Sequence, residues 1–331
     1  MRKRFEDLLL RGLVATLVFV FNLLPERAGL WCAERFAGGV YRLVRSTKHK
    51  DFVPGNIRVA FPEYDDAAIE EIALGHLRLL VKSIVEIIRL PRLNRHNLGR
   101  KVTVTGLEHL EKAKELGKGA IILTAHFGNW ELLMAAMAIK GHPGVALAQQ
   151  QSKAAFDRFL LSRRSLFGNG VLYNDSGGTQ KIFKLLRQNG MLYLVADQHG
   201  ESLKAIVPFF GQMVSAQAGP VAFGMKTGAP VIPAFIVREK GDRHRIIIEK
   251  PLELSNTGRK EADLTENCAR MMAVFERYIR AYPDHWLWVH NRWDKLPRAL
   301  KRQREGQAVT EAATASMEPA ATATEETLSR N

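Results

Sequence analysis

The chain has 331 residues, of which 46% are hydrophobic and 25% are charged, a composition that suits one large globular domain or two small ones. Lys and Arg number 48 against 34 Asp and Glu, and the resulting formal charge of +14 favours a polyanionic partner: nucleic acid, an anionic membrane surface, a phosphorylated lipid or an acidic carrier protein. The two cysteines, Cys32 and Cys268, form no CxxC unit, which indicates a reducing compartment and argues against a zinc site or a disulfide framework.

The N-terminal segment has the features of a helix that lies at a membrane surface. Three basic residues at 2–4 precede an uncharged run, 12–24, rich in Leu, Val and Phe. A helix over this run spans roughly 20 Å, short of the ~30 Å hydrocarbon core of a bilayer. We therefore predict that residues 1–26 form a membrane-associated helix. One alternative is a signal peptide, although no small-residue cleavage site follows Leu24. The others are a tilted single span that also uses Phe5 and residues 8–10, and an ordinary core helix.

Beyond residue 64, apolar periodicity predicts alternating helices and strands. A long helix over 65–90 ends before Pro91. The predicted strands are 102–104, 120–124, 144–148, 170–173, 191–196, 231–237 and 245–249. The other predicted helices are 107–116, 131–137, 154–167, 176–188, 215–227 and 261–281. This alternation predicts an α/β fold with a mixed, largely parallel sheet flanked by helices.

The C-terminal tail differs in composition from the rest of the chain. From about Gly306 onward, Ala, Thr and Glu dominate and large apolar residues are almost absent. Such a segment cannot bury enough apolar surface to fold, so we expect disorder. The predicted organisation is a membrane-associated helix at 1–26, a globular domain at 27–300 and a disordered tail at 301–331.

The segment that follows strand 120–124 carries a candidate catalytic pair. His126 lies at the carboxyl end of this strand, Asn129 is a suitable N-cap, and Glu131 falls in the first turn of the next helix. In an open α/β sheet, ligands bind in the crevice at this edge. A carboxylate there can fix the tautomer of the imidazole, leaving the other nitrogen to take a proton from a hydroxyl. The alternative is a plain loop histidine beside a glutamate that the helix dipole favours.

A second strand end and two aromatic segments add further candidates. Asp197 and Gln198 follow strand 191–196, and Asp197 could position an arginine or a substrate amide, or be purely structural. Residues 208–211 read Pro-Phe-Phe-Gly, and the segment 283–293 contains three Trp and two His. These aromatic side chains, with Arg292, could line a pocket or a membrane-facing groove. The alternative, a core that closes the domain, is the role we predict for Trp286 and Trp288.

Four blocks in this order resemble the late acyltransferases of lipid A biosynthesis, the lauroyl and myristoyl transferases. This family is related to the glycerolipid acyltransferases, which share a motif of His, four residues and an acid. The blocks are 125–131, 197–198, 208–211 and 286–293. Residues 56–63 also resemble the N-terminal region of the family. The resemblance extends over residues 5–298 and makes 27–300 the expected acyltransferase domain.

The resemblance implies transfer of a fatty acyl group from acyl carrier protein to a hydroxyl of a lipid A precursor, a membrane phosphoglycolipid, at the cytoplasmic face of the inner membrane. No cofactor, metal or nucleic acid is expected. His126 would be the general base, Glu131 its orienting partner, and Arg164 or Arg163 the donor to the oxyanion, with Arg164 slightly favoured. Asp197 would position the substrate. The remaining expected substrate-binding residues are Asn129, Gln198, Phe209, His290 and Arg292.

Two departures from the family pattern affect the expected acceptor. Residues 147–151 replace a Tyr-Arg-Pro-like stretch, and residues 290–294 lack one cation of a basic signature. The acceptor could therefore be a lysophospholipid, an ornithine lipid or a phosphoinositol mannoside instead. Two other classes remain as alternatives. One is a metal-dependent hydrolase that uses His126, Glu131, Asp197 and His199 without an HExxH motif. The other is a non-catalytic basic protein that binds membranes or nucleic acid, for which no nucleic-acid motif is present.

Overall fold

The computed structural model describes residues 2–47, 49–174, 177–199 and 203–293. Residues Met1–Trp293 belong to one compact unit. The predicted disordered tail, 301–331, lies outside the described residues, and so do residues 294–300 of the predicted globular domain.

Nine strands are described, seven of which form one sheet. In chain order they are β1 (Val102–Thr105), β2 (Ala120–Thr124), β3 (Val145–Ala148), β4 (Gly170–Tyr173), β5 (Met191–Val195), β6 (Lys204–Phe209), β7 (Gln212–Gln217), β8 (Val231–Glu239) and β9 (Arg243–Ile248). The order in the large sheet is β1-β9-β8-β2-β5-β3-β4. The neighbours from β8 to β4 are parallel, β9 is antiparallel to β8, and β1 is parallel to β9. The predicted mixed, largely parallel sheet is confirmed.

Helices cover this sheet and extend to the N-terminus. They are α1 (Arg2–Leu23), α2 (Glu26–Arg45), α3 (Phe52–Ala60), α4 (Asp66–Arg89), α5 (Leu107–Glu115), α6 (Trp130–Ile139), α7 (Ala154–Arg164), α8 (Gly178–Arg187), α9 (Gly219–Thr227) and α10 (Lys260–Ala281). Asp65 caps α4 by accepting the N–H of Ala68 at 2.8 Å, which explains why this helix begins where it does.

The core lies on both faces of the sheet, and β2 shows how. Successive strand residues point to opposite faces. Ile121 and Leu123 pack into the cluster formed with the β6–β7 hairpin, α10 and the C-terminal tryptophans. Ala120 and Ile122 pack into a second cluster with α6. Because both faces are covered, β2 is apolar at every position up to Thr124, as expected for a central parallel strand.

Two predicted helices have different bounds in the structure. The predicted helix 215–227 is wrong in its first part, because β7 continues to Gln217 and α9 begins only at Gly219. The proline at 220 fits the first turn of α9 but not a helix interior, so it marks the true start. The predicted helix 154–167 ends at Arg164, and Phe167 adopts a positive φ of 61° that no α-helix contains. The sequence prediction also missed β6, α2 and α3.

The N-terminal helix α1 leaves large apolar side chains exposed to solvent. Leu8, Phe19 and Leu23 are 64%, 65% and 68% exposed. This exposure does not fit the alternative of an ordinary core helix. None of the described helices combines the length and the apolar character that crossing a bilayer requires.

Candidate active site

The pairing of β2 with β5 places His126 beside Asp197. The two strands are parallel neighbours, and Thr124 lies opposite Val195. Since His126 and Asp197 each lie two residues beyond this pair, they meet at the carboxyl edge of the sheet. The Nδ1 atom of His126 lies 2.8 Å from Oδ1 of Asp197, and the backbone N–H of His126 donates to the same oxygen at 3.0 Å.

Asp197 is buried and remains ionised. Its second oxygen, Oδ2, accepts a hydrogen bond from the indole N–H of Trp286 at 2.7 Å, and the residue is 1% exposed. Burial by itself would raise its pKa, but the charge and hydrogen bonds of His126 and the bond from Trp286 lower the pKa to about 2. A carboxylate that accepts three hydrogen bonds is an acceptor at neutral pH, so Nδ1 of His126 must carry the proton.

This arrangement leaves Nε2 of His126 as the basic nitrogen. Within the described part of the chain, no group hydrogen-bonds to Nε2, and the side chain is 23% exposed. The Trp130 ring packs against the imidazole in a T-shaped arrangement, with centroids 5.1 Å apart, and limits its rotation. The geometry is that of a general base whose tautomer is held by a buried carboxylate.

The structure pairs Glu131 with Arg164 and not with His126. Arg164, the last residue of α7, donates from Nε to both carboxylate oxygens at 2.9 and 3.0 Å, and from Nη2 to Oε1 at 2.5 Å. Glu131 is 7% exposed, so this bidentate contact is nearly removed from water. The predicted orienting contact from Glu131 to His126 is therefore replaced by Asp197, and Glu131 instead holds an arginine at the site.

The other arginine candidate, Arg163, lies outside this ion pair. Its guanidinium carbon stacks over the Phe159 ring at 5.0 Å from the centroid, and burial lowers its pKa. Its Nε is buried and has no hydrogen-bond partner in the described residues. Of the two arginines, Arg164 is the one that the structure joins to the His126 motif.

Asn129 caps α6 and joins the loop between β2 and α6, which carries His126, to α4. Its Oδ1 accepts the N–H of Leu132 at 3.0 Å, and its Nδ2 donates to Glu86 at 2.9 Å. The residue is 2% exposed. The predicted N-cap is confirmed, but these internal contacts argue against the direct contact with substrate that we expected of Asn129.

Glu86 is the centre of a buried network behind the loop, which the sequence prediction did not identify. It also accepts from Arg238 at 2.7 Å and lies 3.0 Å from Nε2 of His244. Burial opposes its ionisation, but the charges and hydrogen bonds of His244 and Arg238 lower its pKa to about 2. Because α4, β8 and β9 all contribute, the network fixes the loop relative to three elements.

The C-terminal segment 283–293 closes over the same loop. Leu287 N–H donates to the carbonyl of His126 at 2.9 Å, and Gly128 N–H donates to the carbonyl of His285 at 2.8 Å. Gly128 has a φ of +57°, and a Cβ here would lie 2.1 Å from the carbonyl oxygen of Ile236. Only glycine allows the loop to turn and approach β8 this closely.

The aromatic residues of this segment form core, as predicted for Trp286 and Trp288, which are 1% and 0% exposed. Phe209, expected to bind substrate, is also 0% exposed, and its ring packs against those of Trp286 and Trp293. A ring fully enclosed by other aromatic side chains contacts the core rather than a ligand, which argues against the expected role. Its part in the site is to support Trp286, the donor to Asp197.

Arg292 and His290 lie beside this core. Arg292 is 0% exposed and donates from Nη1 to Nδ1 of His199 at 3.2 Å, while Nε2 of His199 lies 2.9 Å from the carbonyl of Asn291. Burial lowers the pKa of Arg292 to about 10, and burial is also the main cause that lowers the pKa of His290 to about 4. His290 is therefore neutral at pH 7. Gln198 is half-buried next to Asp197.

The contacts also bear on the metal-site alternative. That hypothesis needs His126, Glu131, Asp197 and His199 to converge, whereas Glu131 is bound by Arg164 and His199 by Arg292. In the part of the chain that the structure describes, no cluster of three or more His, Cys, Asp or Glu is arranged to hold a metal ion.

Comparison with known proteins identifies the family. Residues 6–295 match the model of the family described as bacterial lipid A biosynthesis acyltransferase. The chain belongs to this family. It is therefore an acyltransferase, and the resemblance seen in the sequence is confirmed.

Individual relatives fall into two groups. The chain is 27% identical over 213 residues to a phosphatidylinositol mannoside acyltransferase of Mycolicibacterium smegmatis, covering 63% of this chain and 67% of that protein. It is 30% identical over 217 residues to one from Mycobacterium tuberculosis, covering 63% and 66%. It is 21% identical over 248 residues to a lipid A biosynthesis lauroyltransferase of Escherichia coli, covering 74% and 79%. The match therefore spans about two thirds of the mycobacterial relatives.

Proposed function

We propose that this acyltransferase moves a fatty acyl chain from an acyl carrier protein thioester to a hydroxyl of a membrane phosphoglycolipid. The observation that carries the proposal is the His126–Asp197 pair at the carboxyl edge of the sheet, in a chain of the lipid A acyltransferase family. A base that can take a proton from a hydroxyl is what transfer to an alcohol requires.

The proposed reaction is a direct attack. Nε2 of His126 takes the proton of the acceptor hydroxyl while its oxygen forms a bond to the thioester carbonyl carbon. Asp197 stabilises the imidazolium that results, through the hydrogen bond to Nδ1. The tetrahedral intermediate then collapses, the carbon–sulfur bond breaks, and the imidazolium returns its proton to the thiolate. No acyl-enzyme is formed.

The negative oxygen of the intermediate needs a donor, and Arg164 is the proposed one. Its Nε and Nη2 are held by Glu131, while Nη1 has no hydrogen-bond partner among the described residues. A guanidinium fixed by a bidentate carboxylate can present its remaining N–H groups without reorganising. Glu131 is then the residue that orients the donor. Arg163 remains the alternative.

The donor and the location follow from charge and exposed surface. A formal charge of +14 favours an acidic protein as the donor of the acyl group. The exposed leucines and Phe19 of α1 suit insertion at the level of the lipid headgroups. We place the enzyme at the cytoplasmic face of an inner membrane, where a lipid acceptor and a cytosolic carrier protein meet.

The acceptor has two candidates, each supported by named relatives. Lipid A precursors are favoured by the family model and by the longer match to the lauroyltransferase. A phosphatidylinositol mannoside is favoured by the higher identity to the mycobacterial enzymes and by the altered segment 147–151 at the end of β3.

The test is an acceptor panel. Purified enzyme in detergent is given lauroyl-acyl carrier protein with a tetra-acylated lipid A precursor, a phosphatidylinositol mannoside or a lysophospholipid, and products are measured by mass. We expect one added acyl chain on the lipid A precursor. Transfer to another acceptor alone keeps the chemistry and changes the substrate, whereas no transfer to any acceptor contradicts the proposal.

A further inference from the structure

The helix that carries Arg164 has little apolar anchoring of its own. Within α7, every residue of which is described, Ala155 alone is fully buried, and Phe156 and Leu161 are exposed. Most helices in globular proteins are held by an apolar face. Other contacts must therefore keep α7, and the guanidinium at its end, in place.

The N-terminal helix α1 supplies the most extensive contact that α7 makes with any described element. Oδ1 of Asp7 accepts the backbone N–H of Ala155 at 3.0 Å. Oδ2 of Asp7 lies 3.3 Å from Nη2 of Arg158 and accepts from Nε of Arg11 at 2.8 Å. One carboxylate thus joins α1 to the backbone and a side chain of α7.

Asp7, a residue of α1, acts as a cap at the N-terminus of α7. The first N–H groups of a helix have no partner within it, and an anion nearby also interacts favourably with the helix dipole. The residue at the N-cap of α7 is Lys153, whose side chain makes no capping hydrogen bond. Asp7 therefore provides the acceptor that the α7 sequence lacks.

The orientation of α1 supports the importance of this contact. Asp7 is 23% exposed and points towards α7, whereas the apolar side chains of Leu8 and Leu9, next to it in sequence, are 64% and 59% exposed. A surface helix of a globular protein usually does the opposite: it turns its apolar face to the protein and its charged face to water. The acidic group is thus turned to the protein and the leucines away from it.

We propose that Asp7 is a positioning residue for acyl transfer. By capping α7, Asp7 keeps Arg164 paired with Glu131, which follows His126 by five residues in the sequence. The geometry of the site therefore depends on how α1 packs against α7. The proposal deepens the proposed function and rests on it. Asp7 itself contacts no reacting atom; it acts through α7.

The kinetic test compares substitutions at Asp7. Asp7→Ala removes the cap, for which a loss of about fivefold in kcat is expected, with little change in KM for the acceptor. Asp7→Asn keeps the acceptor oxygen and restores most of the rate. Glu6→Gln is the matched control: Glu6 pairs with Lys153 at 3.1 Å, and both side chains are well exposed, so its loss changes little.

A double-mutant cycle tests the route through Arg164. If Asp7 acts through this side chain, Asp7→Ala has no further effect in an Arg164→Ala background. Equal losses in both backgrounds would overturn the proposal.

Hydrogen exchange separates this proposal from the proposed reaction. We expect faster amide exchange in residues 154–164 of Asp7→Ala than in the wild type, and wild-type exchange in Glu6→Gln. Unchanged exchange in α7 would overturn the proposal whatever the enzyme transfers. Faster exchange together with no transfer by the wild type would support the contact and contradict the proposed function.

Discussion

Replacing Asp197 by asparagine tests the catalytic pair with the smallest change of shape. Oδ1 of Asp197 accepts from the backbone and the ring of His126, and Oδ2 accepts from Trp286. An amide has one acceptor oxygen and one N–H₂ donor. In one orientation of the asparagine, its N–H₂ group faces the indole N–H of Trp286, so that two donors meet. In the other, the N–H₂ group faces His126 and favours the tautomer whose Nε2 carries the proton.

The expected losses follow from these contacts. The wrong tautomer removes the base, and the corresponding change in serine protease triads lowers kcat by about 10⁴. We therefore expect transfer to fall about 10³- to 10⁴-fold. The pKa of Asp197 is lowered from 3.8 to about 2, so its partners favour the ionised form by about 2 kcal/mol. Losing the charge should lower the melting temperature by about 3 °C.

The assay measures initial rates of acyl transfer by mass spectrometry, together with thermal unfolding. Asp263→Asn is the matched control, because Asp263 is also 1% exposed and accepts two hydrogen bonds from Thr257 at 2.8 Å, in the segment before α10. The control should lose stability but keep its rate. An Asp197→Asn enzyme that is correctly folded and retains more than about a tenth of the wild-type rate would refute the role of Asp197.

Three further predictions concern the residues around the pair. Glu131→Gln should lower kcat about 10- to 100-fold, because it frees Arg164 but leaves the base intact; a rate equal to that of the wild type would contradict the role of Glu131. Gly128→Ala should unfold at a clearly lower temperature and lose activity, while Gly117→Ala, at a similar positive φ but with open space around it, should be much milder. Glu86 has a pKa lowered from 4.5 to about 2 by its partners, so its contribution to stability is complete above pH 4.5 and declines as the pH falls towards 2. Acid unfolding followed by circular dichroism should therefore begin at higher pH in Glu86→Gln.

Local patterns in the sequence predicted most of the fold. The central strands β2 and β5 were identified from their apolar runs, and α6 from its cap at Asn129. The β6–β7 hairpin was missed, and part of it was assigned to a helix. The small residues of 215–219 show neither the apolar spacing of a helix nor the alternation of a strand. Such a segment takes its structure from tertiary contacts.

The sequence prediction named the residues that meet at the candidate site but not the contacts between them. His126 and Asp197 were both recognised at strand ends, but His126 was paired with Glu131 because these two are close in sequence. The contact with Asp197 depends on the register of β2 against β5, and the spacing of residues along the sequence does not reveal that register. The hydrogen bond from Trp286 to Asp197 was missed for the same reason, because the two residues are 89 positions apart in the sequence.

The measurement that tests the central claim most directly is transfer by His126→Ala beside the wild type. Both enzymes are given lauroyl-acyl carrier protein and the acceptor that the wild type uses, and the acylated lipid is quantified by mass. We expect the variant to fold normally and to lose at least about 10³-fold in kcat, because the substitution removes the base that takes the hydroxyl proton. A variant that transfers within about tenfold of the wild-type rate would contradict general-base catalysis by His126.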